Sequence, residues 1–564
     1  MLTVLPGLLP ASAATHGHTG AYLSARSAIT ANDFAAAAGY LDRVLQHDPE
    51  NPMLLENAII AQIAMGNLPA ALEPALRMES LELASQPGRL AVIGNLLVAG
   101  AHAEALDALQ DGRGAGPLID PLLRGWTSLA MGRMTPALEA FDALAQTRGM
   151  EAFGFYHKAL ALAHAGDLEG AEDILSGAVA GPLPLTRRGV LARVQILSQL
   201  DRAEEAAALM AASFGEAPDP ELDALRSALA AGEAPAFDII ARPRDGMAEV
   251  FFDIANALQG EAADSLTLML ARMAQALRPD HAPATLLAAR LLSAMDQHDL
   301  AAAAYATVTQ DMPMFHLAEI GRSEALSRSG DTDAGRAVLE ALAEIRADLP
   351  SVQIALGDFL RRERDFDAAR QAYDRAIALL GTPQPGHWIV WYSRAITHER
   401  EDRWPEAEAD FRQALSLNPD QPHVLNYLGY TLVERREKLD EALDMIERAV
   451  AGEPENGYII DSLGWVFFRL GRYEEALVQM ERAVELLPAD PILNDHLGDV
   501  YWALGRKREA AFQWRRALSF GPADDLDMER IRRKLDIGLD RVLREEGADP
   551  LHPASAAAGA GHGN

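Results

Sequence analysis

The side chains that could do chemistry are plentiful here and poorly placed for it. The 564-residue chain carries 82 acidic, 50 basic and 15 histidine side chains and no cysteine. The missing cysteine removes disulfides, thiolate metal ligands, a cysteine nucleophile and a lipidated cysteine. The sequence contains no GxxxxGK[ST] phosphate loop, GxSxG elbow, HExxH pair or calcium-loop spacing. His398-Glu399 lacks the second histidine four residues on, and a zinc site needs three or four convergent donors. His16, His18, His552 and His562 lie near the chain ends, and the glycines at 557–563 spell a phosphate loop without a strand or helix to frame it. The carboxylates Glu474-Glu475, Asp440-Glu441 and Glu406 with Glu408 fall at helix starts, where acids favour the positive end of the helix dipole. No catalytic residue, metal site or cofactor is expected, and the class expected is not an enzyme. A net charge of −32 opposes nucleic acid and anionic membrane surfaces, since both are bound by Lys and Arg.

The elements that carry these side chains come from a repeat. Leu428-Gly429, Leu463-Gly464 and Leu497-Gly498 recur at 35 and 34 residues, as do Pro419, Pro454, Pro488 and Pro522 and Ala414, Ala449, Ala483 and Ala517. Each unit reads as two amphipathic helices, with a Gly or polar turn between them and Pro ending the second. The small residues Ala395, Ala407, Gly429, Ala442, Gly464, Ala476, Gly498 and Ala510 fall where antiparallel helices cross, and a larger side chain would push the axes apart. Gly471 supplies the left-handed turn, and Pro488 stops one unit before the next.

These residues resemble the tetratricopeptide repeat. The unit from Trp388 carries Trp391, Ala395, Trp404, Ala407, Phe411, Ala414 and Pro419, close to the full family pattern, and further units start at Pro422, Gly457 and Pro491. The resemblance implies an all-α fold, an α-solenoid in which about fourteen helix hairpins form a right-handed superhelix. Weaker units are expected upstream, marked by Gly66 with Ala71, Gly100 with Ala105, Gly132 with Ala137 and Phe141, and Gly166 with Ala171. The expected organisation is a signal-like or disordered N-terminus (1–17), about six degenerate repeats (18–213), a Pro-containing linker or irregular hairpin (214–245), about eight repeats (246–522, clearest at 350–522), a capping helix (523–546) and a disordered tail (547–564). The first fourteen residues are apolar and end in small residues, but the first arginine is Arg26. Export to the periplasm or cell envelope is the expectation, with a cytoplasmic site the alternative. No window reaches the length of a membrane span.

In this family the first helix of each unit lines the groove. The resemblance places His423, Asn426, Tyr430, Tyr458, Asp461, Trp465, Phe468, Arg469, Asp495, Asp499 and Trp502 on that face. Asp461 and Asp495 stand where a carboxylate clamp would want cations or amides, so the groove suits an extended or helical segment with apolar anchors and some basic character. The competing reading is that Trp465 and Trp502 only fill space between hairpins. The stretch from Pro350 to Pro522 is also similar to bacterial cell-envelope adaptor lipoproteins, which engage a carboxyl-terminal processing protease and its substrates, although the anchoring cysteine is absent. The function expected is a scaffold that binds protein, a protease or its substrate among the candidates. The alternatives are an enzyme or subunit acting on peptidoglycan or peptides, and a cytoplasmic assembly factor. Oligomeric state cannot be read from the sequence.

Overall fold

The computed structural model describes residues 14–110, 114–179, 181–215, 217–523, 526–549 and 551, with side chains from residue 19 onward. The signal-like stretch and most of the tail therefore lie outside the described residues. Among the described residues there are thirty-one α-helices and no strand. Twenty-eight of the helices fall into fourteen consecutive pairs, the number that the sequence period implies.

Local signals start and stop them. Asp490 accepts hydrogen bonds from the backbone N–H groups of Ile492 and Leu493, with Pro491 in the first turn, which satisfies donors a helix start leaves free. Asn51 and Asn456 cap Pro52–Ala64 and Gly457–Arg469 in the same way. The turn glycines Gly471 and Gly505 sit at φ +74° and +75°, a backbone region that costs side-chain-bearing residues free energy.

The chain forms two compact units, Met1–Leu356 and Gly357–Asn564, which divide within the helix Pro350–Arg362. The stretch 214–245, expected as a Pro-containing linker or irregular hairpin, lies inside the first unit. It contains a helix, Pro220–Ala230, and an extended segment fastened to the helix Arg187–Gln199. There Gln199 Nε2 donates to Ala234 O, Ser198 Oγ to Pro235 O, and the Asp238 backbone N–H to Gln195 Oε1. Pro220 and Pro243 open helices and Pro218 and Pro235 lie in the segments before them, yet the chain is not freed, because side chains of the neighbouring helix take up the exposed backbone groups.

The chain then turns back on itself. Helix Pro243–Ala257 packs against Ile119–Ala130 and Glu151–Ala165, and Asp264–Leu277 packs against Pro52–Ala64 and Gln86–Ala99, so two later helices lie on first helices of the early pairs. Glycines allow the close approach. A Cβ on Gly246 would meet the Trp126 ring at 2.2 Å, and one on Gly94 would meet Met273 Sδ at 2.6 Å. Arg272 Nε donates to Ala64 O at 3.0 Å, at the end of Pro52–Ala64.

The second unit is regular. Ala395, Ala407, Gly429, Ala442, Gly464, Ala476, Gly498 and Ala510 are all buried. Gly464 lies against Met480 and Gly498 against Trp514 of the paired helix. Arg448, Arg482 and Arg516, on successive second helices, donate to the carbonyls of Pro419, Pro454 and Pro488 of the preceding repeat. The expected single capping helix is two, Met528–Ile537 and Leu539–Glu545, joined at Gly538.

Candidate functional site

The face made by the first helices of the second unit carries the residues that the sequence points to, and most of its carboxylates are already engaged. Tyr427 Oη donates to Glu399 Oε2 on the preceding first helix at 3.2 Å. Trp465 Nε1 donates to Glu434 Oε1 at 2.5 Å. His496 Nδ1 lies 2.9 Å from Asp461 Oδ2, and its ring stacks on Trp465 with centroids 4.2 Å apart. Burial pushes the His496 pKa down, but Asp461, with Asp495 and Asp499 behind it, outweighs burial and leaves it raised. A row of donors thus ties each first helix to the one before it.

The last rung is the cap. Lys534 Nζ, fully buried, sits 2.7–2.9 Å from all four carboxylate oxygens of Asp495 and Asp499. Trp514 Nε1 also donates to Asp499 Oδ1, at 2.9 Å. Burial and the like charge of Asp495 push the Asp499 pKa up against the pull of Lys534. Trp502 Nε1 donates to Asp540 Oδ2 at 3.0 Å, and its ring covers Gly538.

Five residues assigned to the groove from their helical positions are therefore buried: Asp461, Trp465, Phe468, Asp495 and Asp499. They share a helix face as expected, but the next first helix, or the cap, covers that face. Trp465 packs between Phe468 and His496 rather than standing free, the space-filling reading of the aromatic stripe. Still at the surface are Tyr458, 55 % exposed, and the side chain of His423, 52 % exposed and 3.2 Å from Glu453. Asn426, Tyr430, Arg469 and Trp502 are partly exposed. The Arg469 guanidinium lies 6.0 Å over the Trp465 ring and Lys507 Nζ lies 4.8 Å over Trp502. Ile389, at the second position of its helix as Tyr458 is of its own, is 42 % exposed.

Sequence reasoning missed Glu399, Glu434, His496 and Lys534. The donors and acceptors fall at different positions in successive helices, so no 34-residue register shows them. A signal did exist for the arginines 448, 482 and 516, which are spaced at 34.

The first unit holds a second polar cluster. Glu249 accepts from Arg188 Nε at 2.9 and 3.0 Å and from Tyr156 Oη at 3.1 Å, and His281 Nε2 lies at 3.3 Å. The Ala284 backbone N–H donates to His281 Nδ1, so the imidazole proton is on Nε2, facing Glu249. Burial opposes the Glu249 charge, but Arg188 and His281 outweigh it and hold the pKa far below the usual carboxylate range. Trp126 Nε1 donates to His157 Nδ1 at 3.0 Å, and burial pushes the His157 pKa down to about 4. His157 Nε2 lies 3.9 Å from Asp253 Oδ2, whose pKa burial, then Glu249, push up to about 7. Arg188, Tyr156 and His281 all turn toward Glu249, so this cluster fastens Pro243–Ala257 to its neighbouring helices. Among the described residues no group of three or more His, Asp or Glu side chains is placed to hold a metal ion, and no helix is long and apolar enough to cross a membrane.

The tetratricopeptide repeat model matches residues 22–85, 354–422, 392–457, 428–491 and 462–525. Residues 22–85 and 354–525 carry tetratricopeptide repeats. A TPR repeat-containing protein of Pseudomonas aeruginosa is 27% identical over 159 residues, 28% of this chain and 26% of that protein. The E3 ubiquitin-protein ligase CHIP of Arabidopsis thaliana is 30% identical over 105 residues, 18% of this chain and 36% of the ligase. The chain thus spans only about a quarter to a third of the length of these relatives. Among solved structures, the APC/C hetero-tetramer Cut9-Hcn1 aligns at 14% identity, with 93% of this chain and 96% of that one covered and a TM-score of 0.39. Yeast Tom70 aligns at 13% identity over 94% and 99%, with a TM-score of 0.34. Tetratricopeptide repeats point to a scaffold for protein–protein interaction.

Proposed function

We propose that the chain is a non-catalytic adaptor of the cell envelope, holding a partner polypeptide on the first-helix face of residues 388–503 and presenting it to a protease. The observation that carries this reading is the engagement of that face's acids. Glu399, Glu434, Asp461, Asp495 and Asp499 are bonded within the chain, so recognition falls to exposed apolar and aromatic side chains such as Tyr458 and Ile389. Aromatic anchors contribute much of the free energy of protein interfaces. Lys534 offsets the charge of Asp495 and Asp499, whereas Glu434 accepts from the neutral Trp465 and keeps the charge that favours some basic character in the partner. The likeness of Pro350 to Pro522 to envelope adaptors, and the apolar start of the chain, support the compartment and the protease.

The test uses the full chain with a carboxyl-terminal processing protease and a substrate protein. The chain alone leaves peptides and peptidoglycan intact, and its addition speeds the protease. Tyr458→Ala combined with Ile389→Ala weakens capture with the helical circular dichroism unchanged. Hydrolysis by the chain alone, or undiminished capture by the double variant, overturns the reading.

A further inference from the structure

Helix Arg187–Gln199 already shows how this chain holds an extended polypeptide. Gln195 bonds Asp238 at both its backbone N–H, 3.2 Å, and its carboxylate, 2.7 Å, and Gln199 and Ser198 take the carbonyls before it. Beyond that segment the same helix opens into a cavity of about 390 Å³, within the range of small-ligand pockets. Leu191 and Ile239 line its buried end, with Leu225 and Phe315 on the walls, and Gln310 and Pro313 are exposed at the mouth. The space exists because helix His298–Tyr305 stops after 8 residues and the chain crosses to Phe315 in turns. Met314 ends that crossing at φ +65°, a strained conformation of the kind that gathers at binding sites.

The charged side chains at this cavity have partners. Glu221 pairs with Arg187, Asp238 with Gln195, Asp311 with Thr309 and Arg346 with Asp348. His316 lines the cavity, is 7 % exposed, and has no hydrogen-bond or ion-pair partner among the described residues. Burial, more than any neighbouring charge, lowers its pKa below the usual histidine range. A neutral imidazole offers one N–H and one lone pair. Neither ring nitrogen is sealed from solvent, so a donor seated in the cavity replaces water there.

We propose that this cavity receives a tyrosine or tryptophan side chain of a partner polypeptide, whose O–H or N–H donates to the free ring nitrogen of His316. The anchor is a neutral donor because the partnerless group it meets is the neutral imidazole of His316, while Asp238 and Asp311 already accept from Gln195 and Thr309. It is aromatic because Leu191, Leu225, Ile239 and Phe315 supply apolar wall between the polar groups and the methionines at the rim adapt to flat rings. It belongs to a polypeptide because the adjoining surface of the same helix already binds extended backbone. The site is separate from the face proposed in residues 388–503.

The test titrates full-length protein with acetyl-Gly-Gly-Tyr-Gly-Gly-amide, its Phe counterpart and p-cresol, by calorimetry and by the His316 ring resonance. The Tyr peptide binds about tenfold more tightly than the Phe peptide, a difference of one hydrogen bond, and more tightly than p-cresol. His316→Phe erases the difference between the two peptides. Ala224→Trp, at an exposed position of the lining, blocks both without touching the core. Equal affinity for the Tyr and Phe peptides, no binding at millimolar concentration, binding unchanged by Ala224→Trp, or p-cresol matching the Tyr peptide each overturns the proposal.

Discussion

In the unit from Gly357 onward, Tyr427, Trp465, His496 and Lys534 each donate a hydrogen bond to a carboxylate of the preceding first helix. In the unit ending at Leu356, first helices of the early pairs instead meet two helices from far later in the chain. The same building block therefore meets two kinds of neighbour. Where each repeat meets only the next, every copy solves one packing problem and the sequence stays periodic. Where each meets a different part of residues 243–277, every copy solves its own problem and the pattern blurs.

The largest break in that contrast comes from Glu249→Ala, which leaves Arg188 buried without its partner. Destabilisation of about 3–5 kcal/mol is expected, seen as faster hydrogen exchange in residues 119–165 and 243–281 with residues 457–523 unchanged. Lys534→Met does the converse: it strands Asp495 and Asp499 and costs about 3 kcal/mol, measured by the same exchange in 491–545.

The pH response sharpens the comparison. The Asp253 pKa is raised to about 7 in the folded chain, so its stabilising protonated form is fully present near pH 4 and lost as pH rises through 7. Asp253→Asn is therefore expected to gain about 4 kcal/mol over the parent between pH 4 and pH 8, read from denaturant midpoints. The depressed pKa of His157 acts oppositely, with stability lost as pH falls from 6.5 through about 4, and cancels in the difference between the two proteins.

Within the regular unit, Gly464→Leu and Gly498→Leu should each cost about 1–3 kcal/mol by overpacking. The second costs more, because a new Cβ there meets the rigid Trp514 ring at 2.4 Å whereas at Gly464 it meets flexible Met480 at 2.8 Å. Thermal unfolding of the pair checks the order. The smallest effect is Arg516→Ala, about 0.5–1 kcal/mol for a half-exposed charged hydrogen bond to Pro488 O, checked by denaturant titration.

The helix pairs were legible because Ala and Gly recur wherever two axes must come close. The return of residues 243–277 was not, because Gly246 and Gly94 look like any helix glycine until Trp126 and Met273 are set against them. The cap was legible as an amphipathic helix, but Lys534 reads as part of its polar face and is instead buried. Asp495 and Asp499 are misplaced for the same reason. Helical spacing says which residues share a face, while burial depends on whether another segment lies over it. His316 carries no sequence signal at all, since its isolation depends on a helix that stops early.

The arginines bonded to proline carbonyls hold one side of the C-terminal repeats, and the row of donors and carboxylates holds the other. A rod tethered along both sides resists flexure in either direction, because bending one way stretches one row and bending back stretches the other. This stretch should therefore act as a stiff spring, carrying a pull on one repeat to its neighbours instead of absorbing it.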